Sequence, residues 1–206
     1  MRDHTIETYL TELAARTPAP GGGAAAALHA AQAAALVGMV ARYTTGPKYT
    51  DRSETVGLIT ERADALRGHA LQLAAEDAAA FTAVTEAYKL PKDTDEAKAA
   101  RSAAIAAALL DAARPAEATI TCAADVVALA EKLLPIGNRN VITDVGAAAE
   151  AARAAAATAR LNIEINLSGI KDPDARTALL RSATLVDALA ERTEHITATV
   201  RKEITR

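Results

Sequence analysis

The chain has 206 residues, half of them hydrophobic but only 2% aromatic, and a formal net charge of −3. That length suits one domain with its own core, the shortage of aromatics demands a core of closely packed small side chains, and the mild acidity excludes the basic field that nucleic-acid binding needs. A single Cys122 excludes an internal disulfide, and no basic n-region and apolar h-region opens the chain, so the cytoplasm is the expected compartment.

Asp3 is the expected cap of a first amphipathic helix reaching about Arg16, with Ile6, Leu10 and Leu13 on its inner face. Thr17-Pro18-Ala19-Pro20-Gly21-Gly22-Gly23 then forms a shaped turn, because proline cannot continue a helix and glycines reach backbone angles closed to other residues. It runs into an alanine-rich helix over about Gly22 to Tyr43. The free N–H groups of that helix's first turn, with its dipole, favour an anion, so Pro20, Gly21, Gly22 and Gly23 are candidate substrate-binding residues. The alternative is a rigid connection between two helices. Gly21 to Val40 carries no formal charge, yet its alanine and glycine content, with His29 and Gln32 inside, makes it a buried core helix rather than a membrane span. No membrane partner is expected. The four histidines lack i, i+4 pairing, so no metal site is expected either.

Gly46-Pro47 stops this helix, Lys48 to Arg52 forms a polar connection, and a long helix follows from about Asp51 to Leu90. Val56, Ile59, Ala63, Leu66, Ala70 and Leu73 recur at spacings of three and four, the seam of a helical bundle. The next position on that seam is Asp77. A carboxylate there must be paired, protonated or facing a ligand, because burying it ionised and alone is prohibitive. An internal ion pair or a cap on another helix is the structural alternative.

Thr94 opens the next helix, and Pro115 either kinks it or starts another that ends at Pro135. After Gly137-Asn138-Arg139-Asn140 a helix spans about Val141 to Leu167, with Asp144 along the edge of its small-residue face. Asn162 shares the azimuth of Asp144 but lies about 27 Å further along the axis, so the two share a face and not one pocket. Asp172-Pro173 begins a final helix whose seam is Leu179, Ser182, Val186, Leu189, Thr193, Ile196 and Val200. This seam and the Val56 to Val84 stripe exceed what a thin bundle can cover, so a homodimer is expected. The expected fold is all-α, one domain over residues 1–206 with six or seven helices.

Taken together, Pro18-Ala19-Pro20-Gly21-Gly22-Gly23, Asp77-Ala78-Ala79-Ala80-Phe81, Leu90-Pro91-Lys92 with Thr94, Glu96, Lys98 and Arg101, Gly137-Asn138 with Asp144, and Asn162 to Leu167 resemble the cyclodeaminase/cyclohydrolase family. That family comprises the C-terminal cyclodeaminase domain of formiminotransferase-cyclodeaminase and free-standing bacterial methenyltetrahydrofolate cyclohydrolases. The resemblance spans nearly the whole chain. It implies an all-α homodimer acting on one-carbon derivatives of tetrahydrofolate, with no cofactor beyond that substrate and no fused formiminotransferase domain. Relatives commonly carry serine where this chain has Ala24, and serine before the later aspartate where it has Thr143.

The chemistry so implied is cyclodeamination: N10 of 5-formiminotetrahydrofolate attacks the formimino carbon, ammonia leaves, and the cationic 5,10-methenyl form remains. A carboxylate can move the proton from the attacking to the departing nitrogen and stabilise the cation. Asp77 is the first candidate for this catalytic role. Asp144 is the second, as partner acid or as the carboxylate that pairs with the pterin edge. Lys48, Arg52, Lys92 and Arg139, all at helix ends or turns, are candidates to bind the anionic glutamate tail, and Asn138 is a further candidate substrate-binding residue. Hydrolysis of 5,10-methenyltetrahydrofolate is the alternative within this family, and a non-catalytic helical scaffold the alternative outside it.

Overall fold

Alanine has the highest helix propensity and a side chain small enough to let axes approach closely, so this composition forms long, tightly packed helices. The computed structural model, which describes residues 4–205, contains α1 (Ile6–Leu13), α2 (Gly22–Tyr43), α3 (Ser53–Lys89), α4 (Asp95–Leu133), α5 (Ile142–Leu167) and α6 (Pro173–Ile204). Short 3₁₀ turns cover Pro47–Arg52 and Arg139–Val141, and no strand occurs among the described residues. Asp3 lies outside the described residues. Thr5 caps α1 instead, its hydroxyl accepting from the Thr8 N–H at 3.0 Å.

Helix α2, which carries no acidic residue and one basic residue, Arg42, in its last turn, sits at the centre, packed against α3, α4 and α5. Its mean hydropathy of 1.6 would suit a membrane span, but 61% of that window is buried inside the bundle, which makes it the core helix expected from its alanines. Ala24, Ala27, Ala30, Ala34, Val37 and Ala41 are fully buried along it. Helix α4 runs unbroken through Pro115. Proline removes one main-chain hydrogen bond, and the buried alanines on both sides, Ala112, Ala113 and Ala116, hold the helix against its neighbours across that gap.

Two expectations from periodicity are revised. The α1 face containing Ile6 and Leu10 points outward, with Ile6 81% exposed, while Tyr9 and Leu13 turn inward. A helix of two turns offers two plausible apolar stripes, and the one carrying the aromatic ring is the one that packs. The stripes thought to need a partner subunit are also covered within the chain: Val56, Ile59, Leu66 and Leu73 on α3, and Leu179, Val186, Leu189, Ile196 and Val200 on α6, are all buried. Ser182 sits at the seam's edge, donating to Glu117 Oε1 at 2.6 Å.

At the far end of α2, the turn between α4 and α5 is stapled to its C-terminus by one residue. The Asn138 N–H donates to Thr44 Oγ1 at 3.0 Å, its Nδ2 donates to the Tyr43 carbonyl at 2.7 Å, and its Oδ1 accepts from the Asn140 N–H at 3.1 Å. The Tyr43 bond satisfies one of the last carbonyls of α2, and the Asn140 bond caps the following turn. All three of the polar groups named are therefore occupied by the fold. Asn138→Ala is expected to lower the unfolding free energy by about 1–2 kcal/mol, from two lost side-chain bonds, in a urea titration.

Candidate functional site

The N-terminus of α2 is where glycine, carboxylate and helix dipole meet. Gly21 caps the helix with no side-chain hydrogen bond, and the Ala25 N–H returns to the Gly21 carbonyl at 3.0 Å. The amides between them have no intrahelical acceptor, as in the first turn of any α-helix. The Ala24 amide finds one on α3: it donates to the carboxylate of Asp77. Asp77 thus caps α2 from a neighbouring helix.

This approach needs Gly23. A Cβ at that position would overlap the Asp77 carboxyl group, and even the farther oxygen, Oδ2, would stand only 2.7 Å away. The other two glycines are under no such demand. A Cβ on Gly21 would meet nothing within 4 Å, and one on Gly22 would make ordinary contacts, 3.9 Å to Thr158 Cγ2 and 4.0 Å to Asn162 Nδ2. None of the three adopts a positive φ; among the described residues Gly46 alone does, at 99°. Gly23 is therefore explained by space beside Asp77, and none of the three by unusual backbone angles. Pro20, after a cis peptide bond from Ala19, lines a shallow hollow of about 340 Å³ with Glu12, Ala78 and Thr82.

Burial pushes the carboxyl of Asp77 above the ordinary carboxylate range, and the hydrogen bond from Ala24 pulls it back only partly. Tyr9 from α1 belongs to the same site. Burial raises its phenol first, and the negative charge of Asp77 raises it further. From α5, Asn162 and Thr158 stand beside Gly22, with Asn162 Nδ2 donating to the Thr158 carbonyl at 2.9 Å. Tyr9 was not legible as a site residue; its only signal was an aromatic ring with a polar tip in a chain that has very few.

The remaining sequence candidates are dispersed. Since Asn162 lies beside Gly22, Asp144, eighteen residues earlier on α5, is about 27 Å from the glycine turn along that axis. Asp77 and Asp144 are not brought together within the chain. Lys48, Arg52, Asn138 and Arg139 gather at the opposite end of α2, about 32 Å from Gly22 at the helical rise. There the Lys48 ammonium lies 4.9 Å from the Tyr49 ring centre, Arg52 Nη1 donates to the Ile136 carbonyl at 3.4 Å, and Arg139 pairs with Glu203. Lys92 alone of these cations follows α3 past Asp77, beyond the end of α3 at Lys89.

Comparison with known proteins gives a consistent picture. A family profile described as formiminotransferase-cyclodeaminase matches residues 5–184. The chain is 43% identical over 171 residues to a methenyltetrahydrofolate cyclohydrolase of Methylorubrum extorquens, covering 82% of each chain. It is 35% identical over 172 residues to the formimidoyltransferase-cyclodeaminase of Mus musculus, of whose length the match covers 32%. The crystal structure of a formiminotetrahydrofolate cyclodeaminase from Thermotoga maritima superposes with a TM-score of 0.84 at 29% identity, covering 98% of this chain and 96% of that one.

The raised pKa of Asp77 makes a stability prediction whose sign follows from proton linkage. The folded state holds a proton on Asp77 at pH values where the unfolded chain has lost it, so this group's contribution to stability falls as pH rises from the ordinary carboxylate pKa through the raised one. Asp77→Asn keeps an oxygen for the Ala24 N–H and removes the charge. The variant should be more stable than the parent at pH 7, with the difference shrinking toward pH 4, in urea titrations at the two pH values.

Proposed function

Because the chain belongs to the formiminotransferase-cyclodeaminase family, and is an enzyme of its folate one-carbon cyclohydrolase or cyclodeaminase type, we propose that it hydrolyses 5,10-methenyltetrahydrofolate to the 10-formyl form. The observation that carries this choice is the 43% identity to a methenyltetrahydrofolate cyclohydrolase matched over 82% of both chains. The site is compatible with it. One half-buried carboxylate, Asp77, faces the glycine turn without an ion-pair partner among the described residues.

In this reading the substrate's methenyl carbon lies over Asp77 and its cationic N5–C–N10 unit is attracted to the carboxylate. Asp77 takes a proton from a water as that water's oxygen bonds to the methenyl carbon. The resulting carbinol breaks its bond to N5 as N5 takes the proton held by Asp77, the carbinol hydroxyl gives its own proton to solvent to become the carbonyl, and the one-carbon unit stays on N10 as a formyl group with one proton released overall. The raised pKa suits this proton transfer, since a base is most effective when its pKa approaches the working pH. Water, substrate and one base balance the reaction, so the reading calls for no resident cofactor. The free N–H groups at the start of α2, with Asn162, would fix the substrate's polar edge.

Cyclodeamination, the reading favoured by the sequence motifs, remains the second proposal, and the specific observation behind it is the end-to-end superposition on a protein named as a formiminotetrahydrofolate cyclodeaminase. It uses the same carboxylate, with the substrate's own N10 as nucleophile in place of water. The proposal also includes a homodimer in the cytoplasm. Its support is no longer the internal seams but the outward apolar residues Leu161 and Ile165 on α5, 63% and 73% exposed.

The two chemistries separate when each substrate is supplied alone and the methenyl absorbance is followed. Loss of methenyl absorbance with no action on 5-formiminotetrahydrofolate is expected. Appearance of methenyl with release of ammonia from the formimino substrate, and no acceleration of methenyl loss, would replace hydrolysis by cyclodeamination. In the productive assay, Asp77→Asn should lower turnover by about a hundredfold or more; parental turnover in that variant would remove Asp77 from the chemistry.

A further inference from the structure

The outward sides of α2 and α5 carry a pattern that the bundle itself does not use. On α5, Asp144, Ala151, Thr158 and Ile165 recur every seven residues, with Ala147, Ala154 and Leu161 between them, and none of these is buried. On α2 the same spacing runs through Gly22, His29, Leu36 and Tyr43, again none of them buried. The two seams are neighbours along their length. A Cβ on Gly22 would lie 3.9 Å from Thr158 Cγ2 at one end, and at the other Asn138, just before α5, is bonded to Thr44 and Tyr43. Together they form a strip about 32 Å long at the helical rise. Charge is kept off it. Arg42 turns to Asp64 on α3, Glu150 accepts from Thr197 on α6 at 3.1 Å, and Arg160 donates to Asp187 on α6 at 2.7 Å. Arg153 and Glu164 in turn pair with Glu150 and Arg160. The exception is Asp144 at one end of the strip, whose carboxylate makes no hydrogen bond or ion pair among the described residues.

A helix face open to water normally carries charge, whereas uncharged seams of period seven are what helices present to other helices. The ends of the strip say which helices. A twofold axis running along the helices would set every residue against itself, Asp144 on Asp144. An axis crossing the helices makes the two strips antiparallel instead. Each Asp144 then reaches the other copy's α2 N-terminus, where the helix dipole favours a carboxylate. Both ends are complemented at once, so the strip fits a second copy of this chain.

We propose that two copies pair antiparallel along α2 and α5, and that Asp144 of each completes the folate site of the other as a substrate-binding residue. The binding role rests on the folate reaction and the homodimer proposed above. Asp144 and Asn162 share an azimuth on α5, so an axis crossing that helix halfway between them, level with Ala151 and Ala154, sets each Asp144 opposite the other copy's Asn162. Asn162 lies beside Gly22, one residue before the glycine against which Asp77 is seated. A carboxylate at that point can accept from N3–H and the 2-amino group of the substrate's pterin ring, a bidentate charge-assisted pair, while Asp77 attends to the methenyl carbon. The separation of the two acids within one chain becomes a shared site between two chains. Asp144 also sits in the first turn of α5, where it suits that helix's own dipole, and the test must separate this local role from the one across the interface.

Cysteine pairs read the geometry without any substrate, since the native Cys122 is buried. With Asp144→Cys and Asn162→Cys chains co-expressed under different tags, mild oxidation should cross-link the two kinds of chain to each other and leave either variant, expressed alone, uncross-linked. Cross-linking of Asp144→Cys to itself, or no cross-link in any sample, would overturn the antiparallel pairing. Complementation then reads the role. In the productive folate assay Asp144→Asn should lower kcat/KM about tenfold or more, the scale of a lost charge-assisted hydrogen bond, and Asp77→Asn about a hundredfold or more. When these two variants are co-expressed in equal amounts and pair at random, about a quarter of the sites combine an intact Asp77 from one chain with an intact Asp144 from the other. The mixture should recover to that fraction of parental kcat/KM. Activity equal to the mean of the two variants would overturn the shared site, because a residue acting within its own chain, or only stabilising α5, gains nothing from mixing. If the parent acts on neither folate substrate, the folate reading and the binding role fail together, while the cross-link still decides the pairing.

Discussion

The contact on which the rest of this site depends is the Asp77 carboxylate seated against the first turn of α2. It joins the second and third helices at a point where each would be incomplete alone: α2 begins on a glycine with no side chain to cap it, and α3 carries a carboxylate on an otherwise apolar seam. The contact is possible because Gly23 has no Cβ, and it leaves Asp77 half-buried, with a pKa raised by lost hydration and only partly restored by one amide. A protein selected for stability alone would place an alanine or leucine at position 77. Retaining an acid on the seam is the kind of local conflict that marks a functional site in an otherwise consistent sequence.

The alanine-rich bundle serves this contact by holding the helix ends in register. Close helix approach through small side chains buries α2 on several sides, so its N-terminus is fixed by packing along its length and not by a bulky anchor at the site. Asn138 performs the corresponding task at the other end of α2. With both ends fixed, the glycine turn, Asp77, and the Asn162 to Thr158 edge of α5 are presented by rigid elements, which is what precise placement of a reacting atom requires.

Much of this is legible in the sequence, and the exceptions have physical causes. Helix α2 runs over Gly22–Tyr43 as read, because proline and glycine punctuate both of its ends. The seam of α3 and the position of Asp77 on it follow from a 3.6-residue period sustained over ten turns, which leaves little freedom of phase. Helix α1 is too short for that constraint: of the face read through Ile6, Leu10 and Leu13, Leu13 alone turns inward, together with Tyr9. The sequence offers Asp144 as a second acid and cations at helix ends as holders of a glutamate tail, and apart from Lys92 these lie far from Asp77 within the chain. Simple helical rise already separates them: a helix of 22 residues stands between the glycine turn and Lys48, Arg52, Asn138 and Arg139. The sequence does not show why position 23 in particular is glycine, since only tertiary structure shows that Gly23 makes room for a side chain from another helix.

The central claim is that Gly23 is glycine so that Asp77 can sit where it does, and a pair of alanine substitutions addresses it. Gly21→Ala meets open space, whereas Gly23→Ala must drive the Asp77 carboxylate out of its seat. Turnover of the methenyl or formimino substrate should therefore fall by about a hundredfold or more in Gly23→Ala, the scale of losing a positioned acid–base group, and stay within a few-fold of the parent in Gly21→Ala, with helical circular dichroism retained in both. Parental turnover in Gly23→Ala, or equal losses in the two variants, would contradict the account.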